Sequence, residues 1–189
     1  MNLQQRVKNI LLQPQREWAA IHAESTTEAE IWRGYVMPLA AIGPVASWIG
    51  MTVFGMSLPL GVAGRTSPVS GLARAIVSYA MGLAGVWVLA RIVDTLAPRF
   101  GGQRNPGQAL KVVAYSATAA WVAGIFGLIP ALSVLGLLGL YSLYLLYLGL
   151  PVLMKAPAEK ALPYTIVVII IGIVVAMVVG AVARAVGGA

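Results

Sequence analysis

Four long stretches of this sequence carry no charged side chain, and they constrain the fold more than any other feature. Lys, Arg, Asp and Glu are all missing from residues 34–64, 75–90, 112–154 and 161–183. A helix that crosses a bilayer needs about 20 mostly apolar residues. The 43 residues of the third stretch are therefore enough for two helices, with Pro130 near the turn between them. The 16-residue second stretch becomes a full span if Arg91 lies at the membrane boundary and extends its side chain to water.

We therefore predict an all-α membrane protein, a bundle of five transmembrane helices preceded by short amphipathic cytoplasmic helices. Composition supports this class, because 59% of the residues are hydrophobic and only 10% are charged. A soluble domain carries about 25% charged residues to cover its surface. The membrane domain is predicted at 34–189, with spans at 34–57, 74–96, 109–129, 131–154 and 161–183.

The thirteen basic residues are divided unevenly between the two sides of such a bundle. Three of them, Arg65, Arg74 and Arg184, fall on the far side. The ten on the side of the N-terminus are Arg6, Lys8, Arg16, Arg33, Arg91, Arg99, Arg104, Lys111, Lys155 and Lys160. Because cytoplasmic segments are enriched in Lys and Arg, we expect a cytoplasmic N-terminus and a C-terminus on the opposite side. A net charge of +7 that is spread in this way between spans predicts no nucleic-acid partner.

The segment 1–33 is predicted to form the amphipathic helices, with two alternatives for what their apolar faces contact. Leu3, Val7, Ile10 and Leu11 recur at helical spacing, and Pro14 ends that first helix. One interpretation places the helices in the headgroup plane, with membrane lipids, anionic ones in particular, as the partners. The other packs them on the protein's own cytoplasmic face. Candidates for the lipid interface, including belt aromatics, are Arg6, Lys8, Trp18, Trp32 and Tyr147.

Two helix starts have recognisable capping residues. A capping box before the first span is formed either by Ser25 with Glu28 or by Thr27 with Glu30. Asn105, followed by a proline, is a candidate N-cap that opens the third span.

Small residues at a spacing of three or four predict close helix contacts, since such residues let helices approach in lipid. The pattern fits either packing inside one bundle or the face of a homo-oligomer. The candidates are Ser116, Ala120 and Gly124 in the third span, Gly136 and Gly139 in the fourth, and Gly172, Ala176 and Gly180 in the fifth.

A second set of side chains is a candidate for lining a polar cavity. Tyr141 lies near the centre of its span, where a hydroxyl needs a partner, and a hydrogen bond to a neighbouring helix is the ordinary alternative. Asp94 lies one turn after Arg91, so a local ion pair between them is expected. The polar-cavity candidates are Asp94, Tyr115, Ser116, Tyr141 and Tyr144.

Residues for catalysis are scarce, because the chain has no cysteine, one histidine and six acidic residues. His22 lies five residues after Glu17 and two before Glu24, so the three are not expected to share a helix face. We therefore expect no enzymatic activity, no metal site and no cofactor.

The order of these features is similar to that of the Yip family, five-span membrane proteins named for interacting with Ypt/Rab GTPases, and to its bacterial branch most of all. The resemblance rests on Ala114-Tyr115-Ser116 with Trp121, and on the stretch 140–151 (LYSLYLLYLGLP). That stretch continues through Met154-Lys155-Ala156-Pro157 to Pro163-Tyr164-Thr165. The N-terminal segment, with Pro14 before Trp18, is also similar to that of the family.

The resemblance implies five spans, a cytoplasmic N-terminus and, for the bacterial branch, the inner membrane. It gives no support for a small-GTPase partner, because the Asp-Leu-Tyr-Gly-Pro motif of the eukaryotic members is absent. We expect a non-enzymatic membrane protein that organises or recognises lipids or other membrane proteins. The alternative is a small transporter or channel with a polar path near Tyr115, Ser116 and Tyr141.

Overall fold

The computed structural model describes residues 2–58, 61–63 and 67–186, and within them it contains five helical segments long and apolar enough to cross a membrane. This finding confirms the predicted all-α bundle of five spans. Two short helices precede it, α1 (Leu3–Leu12) and α2 (Pro14–Ala23). In chain order, spans 1 to 5 are Glu28–Val53, Pro68–Phe100, Pro106–Leu128, Ala131–Met154 and Ala158–Val182.

Several spans depart locally from α-helical geometry. Span 1 has α-helical parts at Glu28–Ile31, Met37–Ala40 and Ile42–Val53, with a π-helical segment at Trp32–Val36. The other helices are α at Pro68–Leu96, 3-10 at Ala97–Phe100, α at Pro106–Ser116 and Thr118–Ala123, 3-10 at Gly124–Leu128 and Pro130–Leu140, and α at Tyr141–Met154 and Ala158–Val186.

The connection between spans 1 and 2 contains a feature that the sequence reading missed, a short β-hairpin. Strand β1 (Met56–Leu58) pairs antiparallel with β2 (Gly61–Ala63), and Met56 lies opposite Ala63. Arg65, one of the basic residues counted on this side, lies outside the described residues.

Two helix starts carry the predicted capping residues, and α1 has a further cap that the sequence reading missed, in which the Asn2 side chain accepts from the Gln4 N–H at 3.0 Å. The backbone N–H of Thr27 donates to the Glu30 carboxylate at 2.8 Å, and the Glu30 N–H donates to the Thr27 hydroxyl at 3.3 Å. The box with Thr27 is therefore confirmed, and the one that begins at Ser25 does not form because the helix begins at Glu28. Asn105 caps span 3 by accepting from the Gln108 N–H at 3.0 Å, also as predicted.

Span 3 forms the centre of the bundle, and every side chain from 109 to 116 is buried. Spans 1 and 4 come closest to span 3 at glycine and alanine residues. A Cβ placed on Gly139 of span 4 would lie 3.1 Å from the Ala120 Cα, and one on Gly124 would lie 2.9 Å from the Gly43 Cα of span 1. Van der Waals contact between backbones, which supplies much of helix association in lipid, is therefore made at these positions.

Other packing candidates do not form such contacts. A Cβ placed on Gly136 would meet no atom within 4 Å, and Ala176 is exposed, so the prediction of packing inside the bundle is wrong for these two. Gly172 lies only at ordinary contact distance from Leu89, 3.9 Å, and Gly180 is half-buried. Spans 2 and 5 meet instead at Gly85, where an added Cβ would lie 3.3 Å from Val175.

Gly139→Leu will destabilise the bundle by about 1–3 kcal/mol, because the added side chain has to separate spans 3 and 4. Gly136→Leu is the matched control in the same helix. Its side chain enters open space, so the stability change should stay within about 0.5 kcal/mol. The measurement is the free energy of unfolding in mild detergent. Equal losses in both variants would show that the Gly139 contact does not hold these spans together.

The connections that carry most of the basic residues meet at one end of the bundle. The Gln103 N–H, after span 2, donates to the Met154 carbonyl at the end of span 4 at 2.8 Å. Lys111 at the start of span 3 donates to the Ile21 carbonyl of α2 at 3.0 Å. We call α1 and α2 the N-terminal lid and this end of the bundle the lid end.

Candidate functional site

The N-terminal lid is anchored to the bundle by Trp18. The indole is fully buried, and it fills a notch at Gly149 of span 4, where an added Cβ would lie 2.7 Å from the ring. Its ring also meets that of Tyr115 edge-on, with centroids 6.5 Å apart. Glycine at 149 is required because any side chain there would occupy the volume of the indole.

An ion cluster joins the two lid helices. Arg6 of α1 is 1% exposed and pairs with Glu17 of α2 and with Glu24, which follows α2. Glu17 also accepts from the Asn9 amide at 3.1 Å. Burial by itself lowers the pKa of Arg6, but the Glu24 and Glu17 carboxylates outweigh it, and the pKa is raised. The guanidinium is therefore held fully charged between two anions.

Lys111 fastens the end of α2 to span 3. Its ammonium, in a residue 4% exposed, donates to the carbonyls of Ile21 at 3.0 Å and Glu24 at 2.5 Å. The last carbonyls of a helix have no intrahelical partner and carry partial negative charge. A lysine placed there satisfies them and compensates for the burial of its own charge.

Beside this cluster, a cavity of about 900 Å³ lies between the N-terminal lid and the start of span 1. Its walls carry two carboxylates, one guanidinium, several hydroxyls and apolar side chains. The lining residues are Leu3, Ala23, Glu24, Ser25, Thr26, Ala29, Glu30, Arg33, Gly34, Tyr35 and Tyr115. Three of them, Arg33, Gly34 and Tyr35, belong to the π-helical segment of span 1. Such segments occur frequently at functional sites.

The floor of the cavity is a packed layer of hydroxyl and aromatic groups. The Tyr35 hydroxyl lies 2.6 Å from that of Thr118, which donates to the Tyr115 carbonyl at 2.6 Å. Because Thr118 has a single hydrogen to give, Tyr35 is the donor of the first bond. The rings of Tyr35 and Tyr115 are 4.6 Å apart. The Ser116 hydroxyl is buried with no partner among the described residues.

Two lipid-interface candidates are wrong. Arg6 and Trp18 do not face headgroups, since both are enclosed by protein, with exposed fractions of 1% and 0%. The reason is that the apolar face of the N-terminal lid covers the bundle, and the arginine is needed to neutralise Glu17. Lys8 is exposed, Trp32 half-buried and Tyr147 exposed, and their contact with lipid remains a prediction.

The polar-cavity candidates do not gather in one place, and of the five only Tyr115 lines the large cavity. The Tyr141 hydroxyl donates to the Leu11 carbonyl of the lid at 3.2 Å, which is the ordinary alternative. Tyr144 is exposed beside Tyr141, with ring centroids 5.5 Å apart. Ser116 is buried in span 3. A path that joins Tyr115, Ser116 and Tyr141 is therefore not formed by their side chains.

The expected ion pair between Asp94 and Arg91 is also wrong. Asp94 is 2% exposed and accepts instead from Arg104, at 3.1 Å, from the connection after span 2. The Arg91 guanidinium carbon lies 5.5 Å from the centroid of the Trp87 ring. The tertiary partner prevails because Arg104 is brought over the buried carboxylate when the chain turns into span 3.

Sequence reasoning missed the pairing of Glu17 and Glu24 with Arg6. It counted Lys111 and Arg33 only toward the orientation of the bundle and gave Gly149 no packing role. The carboxylates converge because Glu24 lies beyond the end of α2, where the chain leaves the helix. No single-helix spacing rule predicts contacts eleven and eighteen residues apart along the chain. A signal was available for Lys111 alone, a charge that falls inside the predicted span 109–129 near its start.

The fold and the site define a polytopic helical membrane protein whose N-terminal helices close one end of the bundle. The chain belongs to the Yip1 domain family, since the Yip1 domain model matches residues 8–179. It is 30% identical over 105 residues to inner membrane protein YohC of Escherichia coli K12, covering 56% of this chain and 54% of that protein. YohC of E. coli O6:H1 strain CFT073 gives the same values.

The chain spans about half the length of the curated relatives that it matches. Solved structures give no significant match. The relatives and the five spans together support an integral membrane protein of the Yip type.

Proposed function

We propose that this protein is a non-enzymatic membrane protein that recognises a phospholipid headgroup in the cavity beside its N-terminal lid. The single observation that carries the proposal is the cavity of about 900 Å³ with Arg33 in its wall. In this proposal the lid end faces the cytoplasm, as the basic residues predict, and the cavity lies at headgroup level.

Arg33 is the group that suits a lipid phosphate. It is exposed and makes no ion pair with another described residue. The carboxylates of the wall are already engaged, Glu24 with Arg6 and Glu30 with its capping box. A guanidinium can bind two phosphate oxygens at once, and the serine and threonine hydroxyls of the wall can bind further oxygens.

Charge on the outside of the N-terminal lid supports an anionic lipid. Lys8 and Arg16 are exposed on its two helices. Each basic side chain near an anionic surface contributes about 1 kcal/mol of attraction. The surface of the lid end that anionic lipid would contact is therefore basic, although the buried charge of Arg6 is paired with Glu17 and Glu24.

Transport is the second candidate, and the floor of the cavity weighs against it. The Tyr35 hydroxyl bonds to that of Thr118, and the rings of Tyr35 and Tyr115 meet edge-on in a packed layer, so the cavity suits a ligand that enters and stays at one end. A non-enzymatic role fits the same walls, since their carboxylates are engaged in structural bonds, Glu24 with Arg6 and Glu30 with its capping box.

Arg33→Gln will reduce by one the number of phospholipids retained by the full-length protein, and it will weaken binding of added phosphatidylglycerol roughly tenfold or more. The reason is the loss of a charge-assisted hydrogen bond. Native mass spectrometry from gentle detergent measures retention and subunit number together.

Arg99→Gln is the matched control, because Arg99 is exposed in the 3-10 turn that ends span 2 and does not line the cavity. It should leave the retained number unchanged. Equal retention by the wild type and both variants would refute recognition of the headgroup at Arg33.

A further inference from the structure

A second recess, apart from the cavity beside the N-terminal lid, lies on the membrane-facing surface between spans 2 and 5. It is a groove of about 360 Å³, and its walls are apolar apart from Arg91 and Thr95. The Thr95 hydroxyl is satisfied within the helix, where it donates to the Arg91 carbonyl at 2.8 Å. The apolar walls are Trp87, Val88, Ile92, Leu96 and Ile171.

Arg91 gives this groove a charge that the protein does not neutralise. The residue is exposed, its guanidinium packs on Trp87, and it makes no ion pair with any described residue. Asp94 is occupied by Arg104. Glu28 lines a separate cleft of about 20 Å³ together with Arg91 but does not pair with it. A cation on a lipid-facing surface is costly unless an anion compensates it.

The dimensions of the groove match one leaflet. From Trp87 to Leu96 the helix rises about 13 Å, close to half of a hydrocarbon core of roughly 30 Å. Arg91 lies six residues before Ala97, where the α-helix gives way to a 3-10 turn, so it is about 9 Å from that end. An arginine side chain is long enough to reach the headgroups from such a depth.

We propose that this groove binds one acyl chain of a phospholipid whose phosphate pairs with Arg91. The apolar walls cover the chain, and Trp87 holds the guanidinium in place from below. This groove is separate from the cavity beside the N-terminal lid and does not depend on it, since the two share no lining residue.

The test is a titration of full-length protein in mild detergent with phosphatidylglycerol brominated on its acyl chains. Bromine quenches the fluorescence of an indole that it touches, and subtracting the signal of Trp87→Phe isolates the Trp87 contribution. We expect saturable quenching of Trp87 in the wild type. Arg91→Gln should weaken the apparent affinity about tenfold, and Ile171→Phe, which adds bulk to the groove without adding an indole, should weaken it similarly.

Two controls separate specific binding from general contact with lipid. Arg99→Gln changes an exposed arginine outside the groove and should bind like the wild type. Brominated diacylglycerol, which lacks phosphate, should bind the wild type and Arg91→Gln equally. Equal affinity of phosphatidylglycerol for the wild type, Arg91→Gln and Ile171→Phe would overturn the proposal. Arg33→Gln should leave this titration unchanged. A failure of the proposal for the groove can therefore be told apart from a failure of the proposal for the cavity beside the N-terminal lid.

Discussion

Trp18→Ala will release the N-terminal lid from the bundle. The indole is fully buried in the notch at Gly149 and against Tyr115, and truncating a buried tryptophan costs about 3–5 kcal/mol. Because each 1.4 kcal/mol is tenfold in an equilibrium, amide hydrogens of residues 3–23 should exchange more than about a hundredfold faster. Amides of span 3, in the centre of the bundle, should change much less.

Hydrogen exchange followed by mass spectrometry in detergent measures both effects on one sample. Leu12→Ala is the control within the N-terminal lid, since Leu12 is 68% exposed, and its exchange should match that of the wild type. Gly149→Leu should reproduce the effect of Trp18→Ala from the opposite side of the contact. Unchanged protection of residues 3–23 in Trp18→Ala would show that the tryptophan does not hold the lid.

The features that could be predicted from the sequence are those governed by local rules. Span number follows from the length of apolar stretches against bilayer thickness, and each cap follows from residues within one turn of the helix start. The capping box at Thr27 and the N-cap at Asn105 formed for this reason. The ion pair expected between Asp94 and Arg91 also followed a local rule, and a tertiary partner overrode it.

The attachment of the N-terminal lid could not be predicted from the same sequence. An apolar stripe shows that one helix face is covered, but lipid and protein cover it equally well. The position of Ile10 in the stripe fits both interpretations, and only the structure distinguishes them, since protein encloses Ile10 at 0% exposed and the Trp18 indole fills the notch at Gly149. The notch depends on a contact between α2 and span 4, more than a hundred residues apart, for which the sequence contains no local signal.

Arg6→Gln will destabilise the docked N-terminal lid by about 3–5 kcal/mol, because it leaves a buried carboxylate without its counter-charge. The cost falls mainly on Glu17, whose side chain is 10% exposed, while that of Glu24 is 40% exposed and can turn to water. Adding Glu17→Gln to Arg6→Gln should therefore recover a large part of the loss. Adding Glu24→Gln instead should recover little.

The free energy of lid opening from hydrogen exchange of residues 3–23 measures all of these variants. Arg16→Gln, an exposed arginine of the same lid, should change it by less than about 0.5 kcal/mol. Equal rescue by Glu17→Gln and Glu24→Gln would mean that burial does not decide the cost. Charge that is paired inside the N-terminal lid is unavailable to lipid, so the headgroup attraction of this segment should come from Lys8 and Arg16 and survive Arg6→Gln.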